Sequence, residues 1–514
     1  MASIQRIVQF IKKGLFVTAC IVGFVACDPE ENNGSVRPLP NAEPTNVLSR
    51  AIYATELQLD PHFVRISAEA GVVRDLFLGL MAFDPKGQIQ NAVAKEWFSE
   101  DGKNWLFILD ENAKWSNDQA VTSADFVASW QRLSDPKNAS PLAHYLVYMG
   151  IVNSRAVLAG ELPPDALGVK ALNPYTLQVQ LEKANYQLPK MLAHSALLPT
   201  YLGQKPNSTD LVSNGSYRVE HLEKNLLKLK ARDKNTPFQV VQYHLITSVQ
   251  NPSRFDIIEN PLENYHQHEK RFVRLCNYFY EFNFNDPLFA QKPIRQAVRA
   301  MISPIEISKG NGIPSHLMIP KQLFSEMGHS LSHTNVEQLL NEQGMIHSGN
   351  PLKLTLSYDK QGQHPQIAER MARALGQSEL FRVQLQAVSW EELLAKREQK
   401  DFQLIRSGWC ADYPDPVLFL TQFHSQSPDN KSSYSNAKVD ELLLQLQEQP
   451  LDTAKRQRII ATIAQQLEED VAILPLFQYQ RRMSIAPTIQ GFDEQNASET
   501  IYSKDLTRQY HKDK

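Results

Sequence analysis

Residues 352–416 read LKLTLSYDKQGQHPQIAERMARALGQSELFRVQLQAVSWEELLAKREQKDFQLIRSGWCADYPDP, and this stretch decides the fold. Leu352, Leu354 and Leu356 alternate with other residues, the period-two pattern of a strand with one buried face. Residues 364–375 (HPQIAERMARAL) carry apolar side chains at helical spacing and stop at Gly376. Residues 383–388 read as a second strand. Ser389, followed three residues later by Glu392, is a capping box for the helix WEELLAKRE. Residues 402–406 are a third strand. Strands and helices in this alternation make an α/β unit with a mainly parallel sheet. Ligands of such sheets bind just past the carboxyl ends of the strands. The segment after Arg406 is Ser407-Gly408-Trp409-Cys410-Ala411-Asp412-Tyr413-Pro414-Asp415-Pro416. It is predicted to be a loop, with a glycine for close approach, an indole and an acid, and it is where chemistry is expected.

The same pattern extends along the chain. Residues 105–109 read as a strand, and Asp118-Gln119 as a turn. Thr122 opens a helix with Asp125 at its third position, an N-cap arrangement that puts Phe126, Val127 and Trp130 on one face. Asn214-Gly215 is predicted as a hairpin turn. Pro293 begins a helix with Ile294, Ala297, Val298 and Met301 at helical spacing. Two amphipathic helices are expected near 436–448 and 452–469, then a strand at ILPLFQY.

The N-terminus has its own logic. Arg6, Lys12 and Lys13 precede an apolar run over 14–26 (GLFVTACIVGFVA). A membrane-spanning helix needs about 20 apolar residues, and this run is shorter. A charged start, a short apolar run and a small terminal residue mark a secretory signal peptide over 1–26. Phe24-Val25-Ala26-Cys27 has the look of a lipobox, with Cys27 acylated, although Phe24 stands where leucine is usual; Cys20 is a rival. Residues 27–46, rich in Pro, Asn and Glu, suit a lipid-anchored tether. This places the protein in the periplasm, held to a bacterial membrane. Cys276 and Cys410 remain for the mature body, free to be one disulfide or two buried thiols.

Charge excludes one class of partner. The chain has 53 basic and 56 acidic side chains, a net charge of −3. Without the signal segment the mature chain is more acidic still. A nucleic-acid partner calls for a basic face, so none is expected. Enzyme signatures are also missing: no Gly-rich phosphate loop, no GxSxG and no HExxH occurs. His266, His268, His329 and His333 have no acid or cysteine at a metal-ligand offset, so neither a metal nor a cofactor is expected.

Four stretches carry a resemblance: Leu59-Asp60-Pro61-His62, residues 74–130, residues 276–283 (CNYFYEFN), and residues 390–416 ending SGWCADYPDP. Through them nearly all of 48–510 resembles the extracytoplasmic solute-binding proteins of the peptide and nickel ABC importers, nearest their oligopeptide- and murein-peptide-binding branches. The resemblance implies a two-lobed, three-domain α/β flytrap with mixed sheets and a hinge. Lobe one would span 47–275, completed by 486–514, and lobe two 276–485. It implies a monomeric, non-enzymatic receptor that hands short peptides, murein peptides among them, to an inner-membrane permease. It also implies a Cys276–Cys410 disulfide.

By the same resemblance Asp412 pairs with the ligand ammonium, and Arg406 and Arg397 face the cleft, suited to a carboxylate. Gly408, Trp409 and Trp390 line it. Departures from the family pattern are Leu142 and Phe279 in place of cleft tyrosines and Arg65 in place of a cleft glutamate, with 249–272 and 304–345 shortened. The competing readings are haem or another non-peptide ligand on the same fold, and a sensor or chaperone without transport.

Overall fold

The computed structural model of the protein describes residues 46–206, 210–247, 254–262, 265–324, 335–342, 344, 350–448 and 451–509. The expected signal peptide, Cys20, Cys27 and nearly all of the tether lie outside the described residues, as do His329 and His333.

The elements that position the site are, in chain order, β1 (Val47–Tyr53), α1 (Ser67–Leu76), β2 (Ala94–Phe98), β3 (Asn104–Leu109), α2 (Ser123–Ser134), α3 (His144–Met149), β4 (Val169–Asn173), β5 (Thr176–Gln180), α4 (Leu188–Met191), β6 (Tyr217–Glu223), β7 (Leu226–Ala231) and β8 (Val240–Ile246). There follow β9 (Ile257–Glu259), β10 (Glu269–Phe282), α5 (Lys292–Met301), β11 (Leu352–Asp359), α6 (His364–Leu375), β12 (Phe381–Val388), α7 (Trp390–Gln399), β13 (Leu404–Cys410), α8 (Ala437–Glu448), α9 (Thr453–Glu469) and β14 (Ile473–Ile485).

One 11-stranded mixed sheet runs β12-β11-β13-β10-β14-β9-β1-β8-β7-β6, with the short strand Ile313–Pro314 against β14. The predicted strand–helix alternation of 352–410 is present, and β11 pairs in parallel with both β12 and β13. β13 then meets β10 antiparallel, and β10 meets β14 antiparallel. β2, β3, β5 and β4 form a separate antiparallel sheet of four strands. α2 carries the expected Thr122–Asp125 capping box and buries Phe126 and Trp130. Ser389 caps α7 by accepting the Glu392 N–H at 3.1 Å.

The buried apolar side chains fall into distinct clusters. The largest draws almost wholly on residues between Leu48 and Phe272. A second lies between Tyr278 and Phe477, and a third packs Leu275 and Phe279 against α8 and α9. The change from one core to the next occurs on β10 between Phe272 and Tyr278. There the β10–β14 register slips between Val273 and Asn277. A register slip of this kind bends a strand and sharpens its twist, and this one falls where the cores change.

Two expectations are corrected. Asn214-Gly215 is no hairpin turn. Asn214 instead clamps Leu78, its Oδ1 accepting the Leu78 N–H at 3.0 Å and its Nδ2 donating to the Leu78 carbonyl at 2.8 Å. Gly215 lies against the end of α1, where an added Cβ would stand 2.6 Å from the Asp75 carbonyl oxygen. The dipeptide serves a close backbone crossing, the other physical use of a glycine beside an asparagine. The third strand of the α/β unit also runs on to Cys410 rather than stopping at Arg406. Gly408 and Trp409 are therefore strand residues, because β10 continues the ladder that β11 abandons.

Candidate functional site

β13 is paired asymmetrically. Along one edge it is hydrogen-bonded to β10 over its whole length, from Phe282↔Leu404 to Cys276↔Cys410. Along the other it meets β11 only at Leu404 and Ile405. From Arg406 to Cys410 that second edge has no strand partner among the described residues. Its last residue is tied to β10 by the Cys276–Cys410 disulfide. Gly408 is exposed on this strand, and a Cβ there would come within 3.1 Å of the Asn277 carbonyl. Trp409 is partly buried against the third core, its Nε1 sealed without an acceptor.

The segment after β13 is pinned on both sides of Asp412. Ala411 N–H donates to the Leu275 carbonyl at 2.7 Å. Tyr413 is buried in the core built from residues 48–272. Asp415, also buried, accepts from Arg456 of α9 at 2.7 and 2.9 Å and from Lys190 of α4 at 3.3 Å. Asp412 itself makes no hydrogen bond and no ion pair among the described residues. It lines a cavity of about 270 Å³ with Arg65, Ile66, Arg74, Leu142 and His194. The carboxylate is open to solvent on one side, yet the surrounding protein raises its pKa above the ordinary value. Desolvation disfavours the charged form, and nothing in the protein compensates it.

Aromatic rings complete the site. Tyr145 and Tyr148 stand on α3 at 5.8 Å between centroids, and Tyr145 stacks on His194 at 4.1 Å. Burial raises the pKa of both tyrosines, and the charge of Asp412 raises them further. His194 is held neutral, its pKa pushed down to about 3 by burial and then by the Arg74 charge. An unpaired carboxylate among π-faces is a setting for a cation.

The structure does not bring all the expected residues into this cavity. Arg406 sits further back on β13, close to Asp359 of β11 at 3.5 Å, to His364 at 3.0 Å and to the Tyr479 hydroxyl at 3.4 Å. Trp390 lies over its guanidinium at 5.6 Å and is itself partly exposed. His364 also meets the Asp359 carboxylate through Nδ1 at 2.8 Å, so its Nε2 is left to accept from Arg406. Burial and Arg406 lower the His364 pKa, consistent with that neutral tautomer. Arg397 on α7 is held by buried Glu281 of β10 at 2.7 Å, and Ser407 donates to the same carboxylate. Of the departures from the family pattern, Arg65 and Leu142 line the Asp412 cavity, whereas Phe279 is fully buried in the third core.

Sequence reasoning did not single out Arg74, Tyr145, His194, His364 or Glu281. A signal existed for Arg74: Arg74-Asp75 interrupts the apolar residues Val72, Val73 and Leu76 on one helix, which draws charge into an apolar setting. Leu59-Asp60-Pro61-His62 turns out to be internal bracing. Asp60 caps its own turn and binds Arg132 of α2, which also meets the His62 ring at 2.9 Å.

Comparison with known proteins agrees with this architecture. Residues 88–235 and 230–431 match the bacterial extracellular solute-binding proteins, family 5 Middle. The chain is 37% identical over 516 residues, 97% of its length and 98% of the other's, to a Haemophilus influenzae protein described only as a binding protein. It is 31% identical, over 87% of its length and 90% of the other's, to the periplasmic oligopeptide-binding protein OppA of Salmonella typhimurium. It is 29% identical, over 89% and 92%, to the periplasmic murein peptide-binding protein MppA of Escherichia coli. Among solved structures it superposes on the unliganded open form of MppA with a TM-score of 0.83, at 28% identity, covering 91% and 98% of the two chains. Against another structure of the Escherichia coli murein tripeptide binding protein the TM-score is 0.64, over 90% and 99%. The chain belongs to the family 5 bacterial extracellular solute-binding proteins.

Proposed function

We propose that this protein captures short peptides, murein peptides among them, in a cleft and delivers them to an ABC-type permease in the inner membrane. The observation that carries the reading is the unpaired carboxylate of Asp412, two residues beyond a strand whose outer edge is open. A peptide laid along residues 406–410 would add a strand to the sheet, its backbone satisfied by β13 and its side chains free to vary. Its α-ammonium would then meet Asp412 among Tyr145, Tyr148 and His194. Arg406, with His364 beside it, takes a carboxylate further along, and Trp390 and Trp409 flank the path. Arg397 acts through Glu281, which it holds in place beside Ser407.

In this reading residues 47–275 with 486–514 form one lobe and 276–485 the other, hinged where β10 and β14 change cores. The better superposition on an open form than on a second structure of the same relative supports such a motion. Acylated Cys27, after removal of residues 1–26, would tether a monomer to the periplasmic membrane face. Native mass spectrometry of protein purified from its host tests the ligand class. A bound mass that fragments as a peptide with a free amino group is the expected result. A Soret band, or a bound species without amide bonds, would instead support the haem or non-peptide reading.

A further inference from the structure

Besides Asp412, the charged residues of the cavity are Arg65, Arg74 and Glu499, and of these Arg74 makes no ion pair among the described residues. It stands on α1 and lines the same 270 Å³ cavity as Asp412. It makes no hydrogen bond and no ion pair among the described residues, and its Nε is buried without an acceptor. Neighbouring arginines are all engaged. Arg50 and Arg481 share Glu259, and Arg65 holds Glu69 at 3.3 Å. Glu499 lines the same cavity and its charge favours that of Arg74, but its carboxylate is already held by Arg274 at 3.1 and 3.2 Å. A guanidinium stays ionised at any physiological pH. Leaving one half-sealed without a hydrogen-bonded counter-ion is costly, and such costs persist at sites that a ligand completes.

We propose that Arg74 is a second anchor for the residue whose ammonium Asp412 holds, taking a carboxylate carried within one residue of that ammonium. This rests on the reading of Asp412 as the ammonium partner. Tyr145 is close enough to both groups to feel the charges of Asp412 and of Arg74. Its hydroxyl donates to the Met191 carbonyl at 3.2 Å, so it is committed within the protein. The cavity of about 270 Å³ has room for a side chain and an ammonium together and is open to solvent beyond them. Neutral His194 brings no competing cation. The ligand class is therefore a zwitterionic end: a peptide with an acidic first residue, or a free acidic amino acid.

Calorimetric titration of Glu-Ala-Ala, Gln-Ala-Ala and free glutamate into the full mature protein and its variants decides between outcomes. Wild type should bind Glu-Ala-Ala about tenfold or more tightly than Gln-Ala-Ala, the change that ~1.4 kcal/mol represents. Arg74→Gln should erase that preference while holding Gln-Ala-Ala within about threefold of wild type, and Arg74→Lys should keep part of it. Asp412→Asn should weaken both peptides alike. Free glutamate binding as tightly as Glu-Ala-Ala would identify the amino acid as the source of the two charges; much weaker binding would identify the peptide. Equal affinities for the two peptides in wild type, or an undiminished preference in Arg74→Gln, would overturn the Arg74 inference and leave the peptide reading standing. Failure of wild type to bind any of the three would sink both. Should Arg74→Gln not fold, Arg74→Lys carries the same comparison.

Discussion

Cys276 and Cys410 face each other at the end of the β10–β13 ladder, and the bond between them stands two residues ahead of Asp412. It joins positions 134 residues apart, so in the unfolded chain it closes a long loop. Replacing both cysteines by serine should lower the unfolding free energy by about 2–5 kcal/mol. Urea denaturation of the oxidised wild type and the double variant measures this. Because Ala411 is bonded to Leu275 beside the bridge, peptide affinity should fall as well. An unchanged unfolding midpoint would contradict the structural part of this account.

Asp412 should carry a stability penalty in the empty protein. Its pKa in the folded state is raised, by burial, above the ordinary value. A carboxyl with a raised folded pKa destabilises the fold at pH values above that pKa. The penalty disappears below the unfolded pKa, about 3.9. Asp412→Asn should therefore melt at a higher temperature than wild type at neutral pH without ligand, with the gap closing as pH falls toward 4. A lower melting temperature for the variant at neutral pH would mean that Asp412 has a stabilising partner.

Gly215→Ala should be among the most damaging small substitutions away from the cleft. Its Cβ would meet backbone atoms of Asp75 and Leu76 at 2.6 Å, and neither can swing aside as a side-chain tip could. Overpacking of this kind costs about 1–3 kcal/mol. Thermal unfolding of Gly215→Ala beside the uncrowded control Gly71→Ala, whose Cβ would meet only the Arg50 guanidinium at 3.8 Å and which, like Gly215, has no positive φ, isolates the effect of crowding. Equal losses in the two would show that the crossing at α1 yields.

Much of this architecture was legible because local signals and tertiary structure agree. Leu354 and Leu356, Ile367 and Met371 all occupy the buried faces that their spacing predicts. What could not be read is where long-range pairing overrides local pattern. Ser407-Gly408-Trp409 looks like a loop, since a glycine lacks strand preference, yet β10 across the sheet holds it as strand. Asn214-Gly215 has the composition of a hairpin turn and serves a crossing with α1, a partner some 140 positions away. In the site, Asp412 could be picked from its motif. Arg406 and Arg397 could be picked too, but their partners Asp359, His364 and Glu281 come from other elements and set what each arginine is free to do. The charge of Arg74 inside an apolar stretch was there to be read in the sequence, but its lack of a bonded partner shows only in the structure.

The central claim is that Asp412 holds the α-ammonium of a peptide, and a double comparison tests it most directly. Calorimetry would measure wild type and Asp412→Asn against one tripeptide with a free amino terminus and the same tripeptide N-acetylated. Removing one member of a desolvated charge pair costs about 2–5 kcal/mol, so Asp412→Asn should weaken the free peptide by about 30-fold to a few thousand-fold. Acetylation should damage wild type to a similar degree and add little in the variant, because the two changes remove the same interaction. If the two losses simply add, Asp412 does not hold the ammonium and the account is wrong.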